Sequence, residues 1–162
     1  MSPSEIARTV KLRLASELAD DRATLDERAR TVEGLLAPAA DARDEWMRML
    51  ALAFEVERGY TAVEAILTRA LRTLDGDVPT GSTSHQDLLR ATVAEIEGGR
   101  PTLLSREAFA EMAELLKFRH LARHGYEMTP EPARMLDHGE RLQRAHASIR
   151  ATLLALDAWL RA

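Results

Sequence analysis

The segment that decides the fold is residues 2–36, which read SPSEIARTVKLRLASELADDRATLDERARTVEGLL. Ser2 can cap a helix, Pro3 suits a first helical turn, and Glu5 completes a capping box. Apolar side chains then recur at helical spacing. They are Ile6, Val10, Leu14, Leu18, Leu25, Ala29, Val32 and Leu36. We therefore predict one long helix over residues 3–36, with an irregularity at Asp20-Asp21.

The same spacing continues after Pro38, where it predicts a second helix over residues 41–74. We expect Gly59 to kink this helix, because Gly is about 1 kcal/mol less favourable than Ala in a helix interior. Residues 75–82, DGDVPTGS, are typical of a loop. The predicted inward face of the second helix comprises Trp46, Leu50, Ala53, Tyr60, Val63, Leu67, Leu71 and Leu74.

Three further helices are predicted in the second half of the chain. A third runs over residues 84–97 and ends before Gly98-Gly99-Arg100-Pro101. Ser105 caps a fourth over residues 106–123, and Gly125 is placed to stop it. Thr129-Pro130-Glu131 begins a fifth over residues 130–161. No segment has strand periodicity, so we predict an all-α antiparallel bundle of about five helices.

Composition sets limits on the class of protein. The chain has 162 residues, 46% of them hydrophobic and 30% charged, which suits a single domain spanning residues 1–162. With no cysteine, disulfides and thiolate chemistry are excluded. No apolar run is long enough for a membrane span, and the N-terminus does not resemble a signal peptide. We expect a cytoplasmic protein with no membrane partner.

Charge is distributed unevenly along the chain. The net charge of −4 argues against nucleic-acid binding through a broad basic surface. Residues 1–97 hold 12 Lys and Arg against 18 Asp and Glu, whereas residues 98–162 hold 10 against 8. The second half also contains four of the five histidines. An anionic ligand is therefore expected to bind there.

The densest polar cluster is residues 117–126, KFRHLARHGY, which contains three cations, two imidazoles and one phenol. Arg119 could hold a phosphate through its forked guanidinium. His124 could give or take a proton near neutral pH. His120 and Arg123 could support them. This set could cleave RNA with no metal or other cofactor, the Arg stabilising the charged phosphorane.

Helix geometry poses a problem for this site. Residues five apart lie roughly 140° from each other around an ideal helix. Arg119 and His124 could converge if the helix ends or unwinds at His124, which Gly125 permits. They could also converge across a two-fold axis between two copies of the chain.

Simpler interpretations of the cluster remain open. It could be a solvated helix end whose cations offset the helix dipole. His120 and His124 have a spacing common in metal sites, with only Glu127 or Glu131 as nearby ligands. Tyr126 could be a core aromatic. Outside the cluster, His85, His138 and His146 are expected to be at the surface.

A resemblance to a known family favours the catalytic interpretation. The string Arg119-x4-His124-x-Tyr126 resembles the signature of the HepT-like toxins within the HEPN superfamily of helical ribonucleases. Similar features lie upstream, over roughly residues 45–130. They are Gly59-Tyr60-Thr61-Ala62-Val63-Glu64 with Ile66-Leu67, the Asp-Gly loop, His85-x-x-Leu88-Leu89 and Arg100-Pro101.

The resemblance implies a HEPN-like helical bundle that forms a homodimer. It implies a metal-independent endoribonuclease that is the toxin of a toxin–antitoxin pair, with RNA as substrate and Arg119 and His124 as catalytic residues. It further implies a nucleotidyltransferase antitoxin that adenylylates Tyr126. An adenylyl group would add bulk and negative charge beside the Arg/His pair.

Two other functions are compatible with the same sequence. The chain could be a non-catalytic helical module that binds a nucleotidyltransferase as its substrate-binding or scaffolding subunit. It could also be a dimerising bundle with a charged cap. The first predicts a complex without RNA cleavage, and the second predicts no nucleotidyltransferase encoded nearby.

Overall fold

A computed structural model describes residues 2–97, 99–124 and 131–162, without the side chains of Pro3, Ile6 and residues 121–124. Five helices account for most of these residues, and no strand occurs among them. The helices are α1 (Pro3–Leu36), α2 (Ala42–Leu74), α3 (Ser84–Val93), α4 (Arg106–His124) and α5 (Pro132–Arg161). The predicted all-α bundle is confirmed.

Helix α1 begins with the predicted capping box. The Ser2 hydroxyl accepts from the amide of Glu5, whose carboxylate accepts from the amide of Ser2. The helix is unbroken through Asp20 and Asp21, so the predicted irregularity there is wrong. Its buried side chains are Leu14, Ala15, Leu18, Leu25 and Val32.

Helix α2 begins at the Asp41 cap, whose carboxylate accepts from the amides of Arg43 and Asp44. Its buried face is Met49, Leu52, Val56, Gly59, Tyr60, Val63, Ile66, Leu67, Ala70 and Leu71. Trp46 and Leu50 were predicted to face inward but are exposed. In the first three turns of α2, two sets of apolar residues have helical spacing. The set that includes Met49 and Leu52 packs on the core.

Gly59 does not interrupt α2, which runs helical on both sides of it. A Cβ at this position would lie 2.5 Å from Leu142 Cδ2 of α5. The missing side chain therefore lets α2 and α5 approach closely. The structure gives Gly59 this packing role and not the predicted kink.

Ion pairs between helices establish the arrangement of the bundle. Arg28 pairs with Glu55 and Arg69 with Asp21, so α1 and α2 are antiparallel. His146 Nε2 lies 3.0 Å from Asp26, and the Lys11 ammonium lies over the Trp159 ring, which makes α5 antiparallel to α1. Helix α5 thus lies parallel to α2, and it contacts α1, α2 and α4.

Helix α4 packs antiparallel to α5 through a carboxylate clamp. Glu111 accepts from Arg144 Nε at 2.6 Å and from Arg141 Nη1 at 3.0 Å. The hydrogen bond from Arg144 is the main reason that the pKa of Glu111 lies below its usual value. The Ser105 hydroxyl accepts from the Ala108 amide, which confirms the predicted cap of α4. This clamp fixes the helix that carries Arg119.

The short helix α3 packs on α2 and α4. It ends at Val93, not at residue 97 as predicted, because the chain turns there around Arg100. The buried guanidinium of Arg100 binds Asp75 through two bonds of 2.7 and 2.8 Å. It also donates to the carbonyls of Ala91 and Ala94 at 3.0 Å each, so it fastens the end of α3 to the end of α2.

Two boundaries fall near residues outside the described part. Helix α5 begins at Pro132, two residues after the prediction, with Glu131 at the cap position and no side-chain cap bond. The predicted stop at Gly125 and the predicted start at Thr129-Pro130 lie outside the described residues. Among the described helices, none is both long and apolar enough to cross a membrane.

Candidate functional site

Arg119 lies where α4 crosses the middle of α2, and it is 8% exposed. Its Nη2 lies 3.6 Å from Glu64 Oε2, and its Nε lies 3.8 Å from Glu57 Oε1. The guanidinium carbon lies 5.4 Å from the centre of the Tyr60 ring. Burying an unpaired cation is costly, so these two carboxylates and the ring explain how α2 accommodates it.

The contacts attract Arg119 without saturating its donors. Charge-assisted hydrogen bonds are about 2.7–2.9 Å long, shorter than either ion pair here. Its Nε makes no hydrogen bond within the described part of the chain. A guanidinium held in this way keeps N–H groups that can turn to an incoming anion.

His85 is the third member of this cluster. Its Nδ1 is hydrogen-bonded to Glu64 Oε1, and its Nε2 lies 3.3 Å from Arg119 Nη1. The sequence predicted His85 at the surface, and its side chain is indeed 44% exposed, but it belongs to the Arg119 site. Helix α3 delivers it there because Leu88 and Leu89, one turn further on, are buried in the core.

Tyr60 lies on the buried side of the cluster, beside Arg119. It was predicted to be an inward residue of α2, and it is fully buried. Burial raises the pKa of the Tyr60 hydroxyl, and the nearby Glu64 carboxylate adds to the rise. The phenol therefore stays neutral and supplies a ring face to Arg119.

Two clefts open beside His85. One, of about 730 Å³, lies between α3 and α4, and its described lining contains no Asp or Glu. It includes Arg90, Lys117 and His120 as basic groups and Phe109 as an aromatic surface. The other, of about 560 Å³, lies between α2 and α3 and includes Glu64 and Arg72. Both volumes fall in the usual range for ligand sites.

The two cations of the first cleft, Arg90 and Lys117, are exposed, and their present ion pairs are weak. Lys117 pairs with Glu114 and Arg90 with Asp87, each three residues away on the same helix. Exposed pairs of this kind contribute little free energy. Either cation could therefore bind a phosphate in place of its carboxylate partner with little loss of free energy. The described lining of the cleft thus contains basic residues and no Asp or Glu, although the whole chain has a net charge of −4.

The predicted site residues are only partly within the described structure. Arg119 and His120 are described, and His120 is exposed at the first cleft. Arg123 and His124 lie in α4, but their side chains are outside the described part, and Tyr126 is outside it altogether. Because α4 stays helical through His124, positions 119 and 124 lie on different faces, roughly 140° apart.

The sequence missed the residues that surround Arg119. Glu57, Glu64 and His85 come from two other helices, and no local spacing links them to Arg119. The one available signal was that Glu64 and His85 both lie in the segments that resemble the HepT-like toxins. No group of three or more His, Asp or Glu that could hold a metal occurs in the described ranges. The His120–His124 alternative involves a side chain outside them.

The fold and site define an all-helical protein with an Arg–His cluster beside a cleft lined by basic residues. Comparison with protein families identifies it further: the model of HepT-like proteins matches residues 51–160, more than half of the chain. The chain belongs to the HepT-like family of the HEPN superfamily. Searches of curated proteins and of solved structures each gave no significant match.

Proposed function

We propose that this protein is a metal-independent endoribonuclease and the toxin of a toxin–antitoxin pair. The observation that carries the proposal is the cluster of Arg119 and His85 beside a cleft whose described charged residues are all basic. RNA backbone phosphates are bound by such cations, and an aromatic surface such as Phe109 can stack on a base. Membership of the HepT-like family supports the same function.

In this proposal Arg119 binds the scissile phosphate and stabilises the charge that develops on it. His124 acts as a general acid/base. His120 and Arg123 support the binding of the RNA. All of the chemistry uses protein side chains, so cleavage needs no cofactor.

We further propose that the active form is a homodimer. One copy of α4 directs positions 119 and 124 to different faces, and a second copy could supply the missing partner across a two-fold axis. On α2, Trp46, Met47, Leu50 and Phe54 form an exposed apolar face on the helix that also bears Glu57. A self-complementary contact through this face would bring two Arg119 sites close together.

The proposed antitoxin is a nucleotidyltransferase that transfers AMP to Tyr126. The support for this part is the resemblance of the Arg119-x4-His124-x-Tyr126 string. An added phosphate with a nucleoside would compete with RNA for Arg119 by charge and by bulk.

Growth of cells that express the chain tests the proposal. Without the nucleotidyltransferase we expect growth arrest, relieved by co-expression of that partner and by Arg119→Lys or His124→Ala. Lysine keeps a cation between Glu57 and Glu64, so the fold is preserved while the forked donor is lost. Arg161→Ala, at an exposed pair on α5, is the matched control and should remain toxic. Equal toxicity of all four proteins would overturn the proposal.

A further inference from the structure

A chain of three side chains connects three helices at the site. Glu64 of α2 contacts Nδ1 of His85 on α3, and Nε2 of the same ring contacts Arg119 of α4. The Glu64 side chain is 13% exposed and that of Arg119 is 9% exposed, whereas the His85 side chain is 44% exposed. The imidazole is therefore the most exposed member of the chain.

The hydrogen bonds define the protonation of this ring. A guanidinium can only donate, so Arg119 Nη1 must donate to Nε2, which therefore carries a lone pair. The ring proton is on Nδ1, where it is donated to the Glu64 carboxylate. In this tautomer the Nε2 lone pair accepts from the phosphate-binding arginine, and it can accept a proton once that donor turns to a phosphate.

RNA cleavage by attack of the 2′-hydroxyl requires two proton transfers. One group removes the proton from the 2′-oxygen, and another supplies a proton to the departing 5′-oxygen. The proposed function names His124 as a general acid/base, which leaves the second transfer unassigned. His85 lies on the walls of both clefts and is in direct contact with Arg119.

We propose that His85 is the general base of this reaction and that Glu64 is its positioning residue; the inference rests on the proposed ribonuclease function. When Arg119 Nη1 donates to the RNA phosphate and no longer to His85, Nε2 of His85 accepts the proton of the 2′-hydroxyl. The 2′-oxygen bonds to phosphorus, the bond from phosphorus to the 5′-oxygen breaks, and the 5′-oxygen leaves with a proton from His124. The products are a 2′,3′-cyclic phosphate and a 5′-hydroxyl end.

The Glu64 carboxylate has two effects on this step. It fixes the ring tautomer by accepting from Nδ1, and it stabilises the imidazolium that forms when Nε2 takes the proton. It acts through His85 and does not touch the RNA.

The test uses the purified full chain with total bacterial RNA in EDTA, and it counts new 5′-hydroxyl ends by enzymatic end-labelling. We expect His85→Ala to slow cleavage by about 100-fold or more, which is typical for loss of a general base. Added imidazole should restore part of the rate, because the half-exposed ring leaves an accessible space. Arg161→Ala, at an exposed ion pair on α5 and outside both clefts, is the control and should cleave within about threefold of wild type.

A second substrate separates base from acid. In an RNA with a bridging 5′-sulfur at the cleaved bond, the thiolate leaves without protonation, because thiols are stronger acids than alcohols. The His85→Ala defect should persist on this substrate, whereas a His124→Ala defect should shrink. If sulfur abolishes the His85→Ala defect, the base assignment is overturned.

The remaining outcomes also decide the inference. His85→Ala with a near wild-type rate overturns it and leaves the ribonuclease function intact. A slow His85→Ala that imidazole does not restore assigns His85 a structural role and overturns the inference as well. A wild-type protein that forms no 5′-hydroxyl ends overturns the ribonuclease function, and the base assignment with it.

A double-mutant cycle tests the role of Glu64. Glu64→Gln should slow the wild-type enzyme by more than tenfold but slow His85→Ala much less, because the residue it positions is already missing. If the two losses multiply, Glu64 does not act through His85.

Discussion

His85 Nε2 lies 3.3 Å from Arg119 Nη1, although 34 positions separate the two residues in the chain. The contact is made between a buried arginine on α4 and a half-exposed histidine at the start of α3. Arg119 carries the one buried guanidinium in the described part of α4. Its contact with His85 links it to the cleft between α3 and α4, which is lined by basic residues.

Lys117 is expected to contribute to RNA affinity through charge alone. Its side chain is 71% exposed and makes a single exposed ion pair, so Lys117→Ala should leave stability unchanged. The slope of the logarithm of affinity against the logarithm of salt should fall by about 0.7 when one phosphate contact is lost. Binding of single-stranded RNA by His124→Ala protein, titrated at several salt concentrations, measures it. Lys11→Ala is the control, because this lysine of α1 lies over Trp159 of α5, whereas the cleft lies between α3 and α4. A similar change in slope for both variants would contradict the prediction.

Arg100 is expected to be the main link between the ends of α2 and α3. Arg100→Ala leaves the Asp75 carboxylate and the carbonyls of Ala91 and Ala94 without their donor. The free energy of unfolding should fall by about 3–5 kcal/mol, the usual cost of breaking a buried ion pair. Urea denaturation followed by circular dichroism gives the value. Arg161→Ala, which breaks only an exposed pair, should change it by less than about 0.5 kcal/mol. Equal effects of the two variants would disprove the assignment.

His138 should make stability depend on pH near neutrality. Burial against the Phe118 ring, 4.5 Å away, lowers the pKa of His138, and Arg141 and Arg134 act in the same direction. Asp137 and Glu114 oppose this shift but do not cancel it. The unfolded chain therefore binds the proton more readily, so stability is full above the usual His pKa of about 6.5 and falls as the pH drops below it.

Urea denaturation at pH 7.5 and 5.5 tests this effect. Wild type should lose stability between the two pH values, and His138→Gln should lose less. The same loss in both proteins would show that other groups are responsible.

Phe54 is expected to lie at the contact between two copies of the chain. It is 57% exposed at the C-terminal end of the apolar face formed with Trp46, Met47 and Leu50. Phe54→Glu places a charge in that contact and should convert a dimer to a monomer, as measured by light scattering. Leu154→Glu, at an exposed apolar position on α5, should remain a dimer. A monomeric wild type, or a dimeric Phe54→Glu, would contradict the prediction.

The helices could be predicted because their signals are local. The capping box of Ser2 and Glu5 and the cap at Ser105 each act within one turn, and both were found where expected. The face of α2 was harder, because Trp46 and Leu50 share helical spacing with the residues that are buried. Burial of one stripe over another depends on which neighbours pack against it, and this information is not local.

The site could be predicted only where it lies on one helix. Arg119 was identified from its own motif, whereas Glu64 and His85 reach it from 55 and 34 positions away, on α2 and α3. Polar residues on separate amphipathic helices look like solvated positions until the packing angle is known. His85 was predicted to be at the surface because it stands at the start of a helix, and its side chain is indeed 44% exposed.

The most direct test of the ribonuclease function is cleavage of total RNA by the purified chain in the presence of EDTA. The wild-type protein should produce 2′,3′-cyclic phosphate ends, and Arg119→Lys should slow their formation by about 100-fold or more while the protein keeps its circular dichroism spectrum and its oligomeric state. Arg161→Ala should cleave at the wild-type rate. A wild-type protein that leaves RNA intact, or an Arg119→Lys variant that cleaves as fast as wild type, would contradict the proposal.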